Sequence, residues 1–192
     1  MIGADTSTTM LDEAKKKSNK VTWLTGSAEA IPLPDNSING AIATFTTHHW
    51  TDPEKAFAEL DRILIPGSPI VILTFTPEQE HGYWLRHYFP EMIARTVNRK
   101  TNYHLVIETA LHAGFKISLT EKYFVHNGLQ DHFLYCGKHN PEMYFDEAIQ
   151  NGISSFAMTE NRDEITRGLS MLREDINTGK FSDVKKQYEK LW

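Results

Sequence analysis

Residues Ile31–Trp50, IPLPDNSINGAIATFTTHHW, decide how the rest of the chain is read. Ile31–Pro34 is an apolar loop punctuated by proline. Asp35–Gly40 is a polar turn, because Asp, Asn, Ser and Gly each favour turn geometry. Ala41–Phe45 is a short apolar run of the kind expected for a strand buried on both faces. Thr46, Thr47, His48, His49 and Trp50 follow at its C-terminal end. In open α/β sheets ligands bind at that end of the strands, so polar and aromatic residues collected there mark a candidate site.

On the N-terminal side of this stretch, Met1–Ala4 is a very short apolar start. Ser7 is placed to cap a helix over about Thr8–Lys17, which buries Met10, Leu11 and Ala14. Lys15, Lys16 and Lys17 complement the C-terminal end of its dipole. Val21–Leu24 is β-branched and aromatic and reads as a strand. On the C-terminal side, Thr51-Asp52-Pro53 opens a helix with Pro53 near its first position. Phe57, Leu60, Ile63 and Leu64 form its apolar stripe, and Pro66-Gly67 stops it. Pro69–Phe75, PIVILTF, is a further extended run. This alternation predicts an α/β domain with a mostly parallel sheet.

The second half reads differently. His81–Val97 predicts an irregular helix interrupted at Pro90, and Asn102–Ala113 a helix closed by Gly114. Phe115–Phe124 predicts a strand. Beyond it the chain is expected to be helical, with Ile165, Leu169, Leu172 and Ile176 on one face of a helix over Asp163–Asn177 and a weaker helix over Asp183–Trp192.

The composition bounds the class. The chain has 192 residues, 40% hydrophobic and 23% charged, which suits a globular protein with one sizeable core. A net charge of −5 argues against broad nucleic-acid binding, which needs a basic surface. No apolar run has membrane-spanning length, and Asp5, Asp12 and Glu13 come too early for a signal peptide. Cys136 is the single cysteine, which fits a reducing cytoplasm and a packing role for that thiol. No cysteine–histidine spacing of a metal site appears, so no metal is expected.

Four blocks carry a family resemblance. Gly3–Asp5, Ser7 and Met10–Leu11 form the first, and Gly26–Glu29 with Ile31, Pro32 and Pro34 the second. Asp35–Ser37 with Thr46–Trp50 forms the third, and Leu60, Arg62–Leu64, Pro66 and Gly67 the fourth. In this order and spacing, over about residues 1–75, the chain resembles class I S-adenosylmethionine-dependent methyltransferases of the small-molecule type related to ubiquinone and menaquinone biosynthesis. The resemblance implies a Rossmann-like methyltransferase sheet with S-adenosylmethionine as methyl donor and a small-molecule acceptor. It also implies an α/β fold incomplete at the N-terminus, because the family's first strand and its glycine-rich loop would precede Met1. It divides the chain into a core over 1–126, with a helical insertion at about 77–113, and a helical addition over 127–192 that covers the acceptor site.

Site residues follow from the same resemblance. Asp5, with Thr6 beside it, is expected to hold the ribose diol, the alternative being a helix-capping role for Asp5. Ser27 and Ala28 are expected at the adenine, with Trp23 or Ile31 against its face; a plain loop role for Ser27 stands beside this. Thr46 and Trp50 complete the cofactor contacts. His48 and His49 lie where methyl transfer would occur, and a histidine there could deprotonate a hydroxyl acceptor; strand capping and packing are the alternative. The aromatic residues of the helical additions, Tyr83, Trp84, Tyr88 and Phe89 among them, suggest an apolar or aromatic acceptor, against the alternative of a packed helical core. Lacking the glycine loop, this chain is expected to bind the cofactor weakly or not at all, and either to fill the missing strand through a homodimer or to re-pair its strands. A non-catalytic remnant serving as a binding or interaction module is the second functional reading.

Overall fold

The computed structural model describes residues 1–97 and 103–189. It separates them into two compact units. The first holds residues 1–75 and 103–119, the second 76–97 and 120–189. The helix Tyr103–His112 belongs with the sheet-bearing unit.

In the first unit the order is β1 Ile2–Asp5, α1 Thr8–Lys17, β2 Thr22–Thr25, β3 Ala41–Thr44, a 3-10 turn Thr47–His49, α2 Pro53–Ile63 and β4 Ile70–Leu73. β1 pairs with β2 in parallel, from Ile2 with Thr22 to Asp5 with Thr25. β3 pairs with β4 in parallel, from Ala41 with Ile70 to Thr44 with Leu73. Among the described residues these are two separate two-stranded sheets, with no strand joining β1 to β3. This is the α/β, Rossmann-like arrangement with an incomplete sheet that the sequence predicts.

The local chemistry explains each element. Ser7 caps α1, its Oγ accepting from the Met10 N–H at 3.3 Å. Gly3 is required because the Trp23 ring lies across β1, where a Cβ at residue 3 would stand 2.3 Å from a ring carbon. Asp52 caps α2 by accepting from the Lys55 N–H at 3.0 Å, and Pro53 opens the helix. Asn36 adopts φ +51°, which asparagine tolerates, and turns the chain back over the end of α2. There the Asn36 and Ser37 N–H groups donate to the Arg62 and Ile63 carbonyls at 2.9 and 2.8 Å, satisfying groups that a helix end leaves open.

The core of this unit joins Trp50, Phe57, Leu60, Ile63 and Leu64 to Val106 and Ala110 of the helix Tyr103–His112. Ala41, Ala43, Ile70 and Ile72 pack onto it from the sheet. The opposite sheet face differs from expectation. Ile42 is 76% and Val71 57% exposed, so β3 is buried on one face only. Its side chains alternate inward and outward as a one-face-covered strand requires.

Phe115–Phe124 is irregular and forms no strand. Its Ile117, Leu119, Tyr123 and Phe124 are exposed. β-branched and aromatic content alone does not make a strand without a paired neighbour.

The second unit is helical. Helices Pro77–His81, Leu85–Tyr88 and Pro90–Val97 replace the single interrupted helix, with Pro90 opening the third. Arg162–Thr178 is the long amphipathic helix and ends at Gly179, φ +81°. The last helix is Phe181–Glu189; the predicted tail of that helix, residues 190–192, lies outside the described residues. Tyr83, Trp84, Tyr88, Phe89 and Tyr144 are buried in this unit's own core, the packing role that stood as the alternative for them. Glu164, buried, accepts from the Glu91 and Met92 N–H groups at 2.6 and 2.7 Å and so caps the helix Pro90–Val97 from a distance. No helix is long and apolar enough to cross a membrane among the described residues.

Candidate functional site

The C-terminal ends of β1, β2 and β3 carry the candidate residues. Asp5 closes β1 and is exposed, as is Thr6. The Asp5 Oδ1 accepts from the Ser7 N–H at 2.7 Å, which steadies the turn into α1 while Ser7 itself caps the helix. The capping role considered for Asp5 thus falls to Ser7, and the carboxylate stays at the surface.

After β2 the chain makes a tight turn in which the Ala30 N–H donates to the Ser27 carbonyl at 3.1 Å. Ala28 and Ile31 pack against the core of the unit, so Ala28 offers its backbone and not its methyl group. Trp23 lies over Gly3 and donates its Nε1–H to the Ser18 carbonyl at 3.3 Å. Glu29, which the sequence places in the Gly26–Glu29 block without a role of its own, ties this turn to α2. Its Oε1 accepts from the Thr51 N–H at 2.7 Å, the Thr51 hydroxyl at 3.1 Å and the Asp52 N–H at 3.3 Å. Partial burial opposes the charge, but bonds from the Glu29, Asp52 and Thr51 N–H groups and the Ser27 hydroxyl outweigh it, and the carboxyl lies below its usual range. Ser27 therefore has a partner within its own loop, Glu29.

Arg62 clasps the neighbouring loop. Its guanidinium donates to the Leu33 carbonyl at 2.8 Å, the Ile31 carbonyl at 3.0 Å and Asp35 at 2.7 Å. It also pairs with both oxygens of Glu59, each at 2.9 Å. Glu59 accepts from the Ile31 N–H at 3.0 Å. The Arg62 hydrogen bonds foremost, then the Ile31 N–H, pull the Glu59 carboxyl down to about 2. A planar five-donor fork is the one side chain that can bridge two carbonyls and two carboxylates at once. The loop after β2 is thus held rigidly onto α2. The signal was in the sequence, as Glu59 and Arg62 three residues apart on a helix, but its partners on the loop were not readable.

At the end of β3 the backbone turns sharply. Phe45 has φ +48°, a left-handed conformation that costs a bulky residue about 1–3 kcal/mol. Its N–H still donates to the Leu73 carbonyl at 2.8 Å. Thr46 then stands at the start of the 3-10 turn Thr47–His49, without a side-chain capping bond. Thr47 is buried, its hydroxyl 3.3 Å from that of Thr74. The His48 and His49 rings lie 4.0 Å apart by centroid, and His48 also faces Phe75 at 5.6 Å. His49 is exposed and His48 half-buried. Trp50 is 6% exposed and meets Phe57 edge-on at 5.3 Å, which makes it a core residue at the base of the turn.

Cavities of about 390 and 450 Å³ open in the helical unit, the first beside Asn140, Glu142 and Phe181, the second beside Phe156, Arg162 and Leu169. The candidate residues line neither. No cluster of metal-ligating side chains occurs among the described residues. Cys136 is buried, and burial pushes its thiol up to about 11, so it is no nucleophile at neutral pH.

Residues 1–72 match the family model described as a methyltransferase domain. A demethylmenaquinone methyltransferase of Thermus thermophilus is 33% identical over 99 residues, covering 48% of this chain and 45% of that protein. A solved structure from Anabaena variabilis, named as a methyltransferase of an antibiotic-biosynthesis pathway, superposes with a TM-score of 0.82. It is 29% identical, with 96% of this chain and 75% of that one covered. A solved Galdieria sulphuraria structure, named as a sarcosine dimethylglycine methyltransferase, matches at a TM-score of 0.51 and 18% identity, over 93% of this chain and 64% of that one, and speaks for the fold alone. The chain spans less than half the length of the Thermus relative.

Proposed function

We propose that this chain, whose residues 1–72 match a methyltransferase-domain family model, binds S-adenosylmethionine at the C-terminal ends of β1, β2 and β3 and serves methyl transfer from it to a small molecule. One observation carries the reading. A surface carboxylate (Asp5), a stapled turn (Ser27–Glu29) and a paired-histidine turn (Thr46–His49) stand at the C-terminal ends of β1, β2 and β3 in one unit, where β1 runs parallel to β2 and β3 parallel to β4. Bound S-adenosylmethionine would supply an electrophilic methyl group on a sulfonium.

The chain's residues divide the remaining work. Asp5, with Thr6 beside it, accepts hydrogen bonds from a ribose diol, for which Oδ2 is the oxygen not already given to Ser7. The Ser27 hydroxyl and the Ala28 backbone read the base edge, and Thr46 closes that side. Trp50 supports the turn from beneath. Methyl displacement is in line and needs alignment more than acid or base help. His49, exposed beside His48, is the group placed to take a proton from a hydroxyl acceptor. All of these roles address the adenosyl end of the cofactor and its methyl group.

The same proposal takes the binding to be weak. We add to the reading an apolar or aromatic acceptor, a cytoplasmic setting consistent with the buried lone thiol, and a homodimer in which a partner's strand pairs along β1 or β3. The second reading, a binding module without turnover, is favoured by the separation of the sheet into two pairs. Titration with S-adenosylmethionine followed by amide chemical shifts tests both. Saturable shifts at Asp5, Ser27 and Thr46–His49 in the millimolar range support the site, and methylation of a phenolic probe then separates enzyme from module. Shifts confined to other residues would refute the site, and micromolar affinity would refute the weakness assigned to it.

A further inference from the structure

We infer that Phe45 is a positioning residue: its left-handed backbone, held by stacking of its ring on Phe75, sets where the Thr47–His49 turn presents His48 and His49. The functional purpose rests on the methyl-transfer reading above; the geometry does not. Among the described residues, two other than glycine have positive φ, Asn36 and Phe45. Asparagine suits that conformation, and phenylalanine is among the residues least suited to it. A glycine or asparagine at position 45 would make the turn without strain. The aromatic ring is therefore the reason for a residue that the backbone disfavours.

The contacts of that ring support this. Phe45 stacks on Phe75 with centroids 6.1 Å apart and planes at 21°. Phe75 also contacts His48 at 5.6 Å. One residue earlier, Thr74 meets the buried Thr47 hydroxyl at 3.3 Å. The last rung of the β3–β4 ladder is the Phe45 N–H to the Leu73 carbonyl at 2.8 Å. Residues 45, 47 and 48 are thus each tied to one of residues 73–75, and the chain between has little freedom left. The turn behind it closes with the His49 N–H on the Thr46 carbonyl at 2.9 Å and the Trp50 N–H on the Thr47 carbonyl at 3.1 Å. Strain kept in place by surrounding contacts is the pattern found at pre-organised sites.

Amide hydrogen exchange on the full chain, without any ligand, tests the assignment. Phe45→Asn tolerates the backbone and deletes the ring, and should lower protection at His49 and Trp50 by about tenfold while Ala41, bonded to the Pro69 carbonyl, keeps its own. Phe45→Tyr keeps the ring and should restore wild-type protection. Phe75→Leu leaves position 45 intact and should reproduce the loss; where Phe45→Asn also strips Ala41, this variant decides. Wild-type protection at His49 and Trp50 in Phe75→Leu, or a loss in Phe45→Tyr equal to that in Phe45→Asn, would overturn the inference. Either result leaves the methyl-transfer reading where it stood, because no cofactor enters the assay.

Discussion

Replacing Glu59 by glutamine keeps the shape of the side chain and removes its charge from the clasp around the Ile31–Asp35 loop. The native carboxyl is held at about 2 against an ordinary value of 4.5, principally by Arg62. A shift of that size corresponds to roughly 3 kcal/mol before solvent screening. The Glu59 side chain is 20% and that of Arg62 33% exposed, so screening reduces the net figure to about 1–2 kcal/mol. The sign follows from linkage. A carboxyl whose folded pKa is depressed contributes stability that is present above its unfolded pKa and is lost as pH falls through the folded value. Urea denaturation of the wild type and Glu59→Gln should therefore differ by about 1–2 kcal/mol at pH 7. By pH 3 more than half of that difference should have gone. A difference that stays constant between pH 7 and pH 3, or that grows on acidification, would refute the clasp as an electrostatic device.

Other outcomes are equally specific. Asp5→Ala should leave the melting temperature nearly unchanged, since the side chain is exposed, and should weaken S-adenosylmethionine binding by about tenfold in the shift titration. Gly3→Ala should destabilise by about 1–3 kcal/mol in urea, because its Cβ meets the Trp23 ring, and Gly3→Ala combined with Trp23→Leu should recover part of that loss. Trp50→Ala should cost about 3–5 kcal/mol by the same measure, as expected of a core side chain and not of a ligand contact. Light scattering should show a dimer that Ile42→Lys, on the exposed face of β3, weakens; a monomer at all concentrations would remove the homodimer from the proposal.

Much of the first unit was legible because its signals are local. Ser7, Asp52 and Pro53 mark helix starts through chemistry that acts within three residues, and the Phe57–Leu64 stripe has the helical period. The boundaries of α1 agree residue for residue with the reading. What failed depended on neighbours distant in sequence. Ala41–Phe45 looks like a strand covered on both sides, yet nothing in those five residues shows that Ile42 would stay in solvent. Phe115–Phe124 has strand-like residues and no partner ladder. At the site, Asp5 and the histidine pair were readable as polar groups at strand ends. Glu29 was not, because an acidic residue in a loop looks like a solvated one until Thr51 and Asp52 are brought beside it. The burial of Trp50 was not readable for the same reason: only the packing of α2 shows that its ring meets Phe57 in the interior.

The division of the first unit into two ladders bears on how it acquires its structure. Each parallel pair closes over its own crossover, β1 to β2 around α1 and β3 to β4 around α2, so neither pairing waits on the other to offset its loop-closure entropy. Two such leaves can nucleate independently and quickly, since each joins stretches close in sequence. A lesion in one leaf would slow its own formation and leave the kinetics of the other intact, a separability that a continuous sheet does not allow.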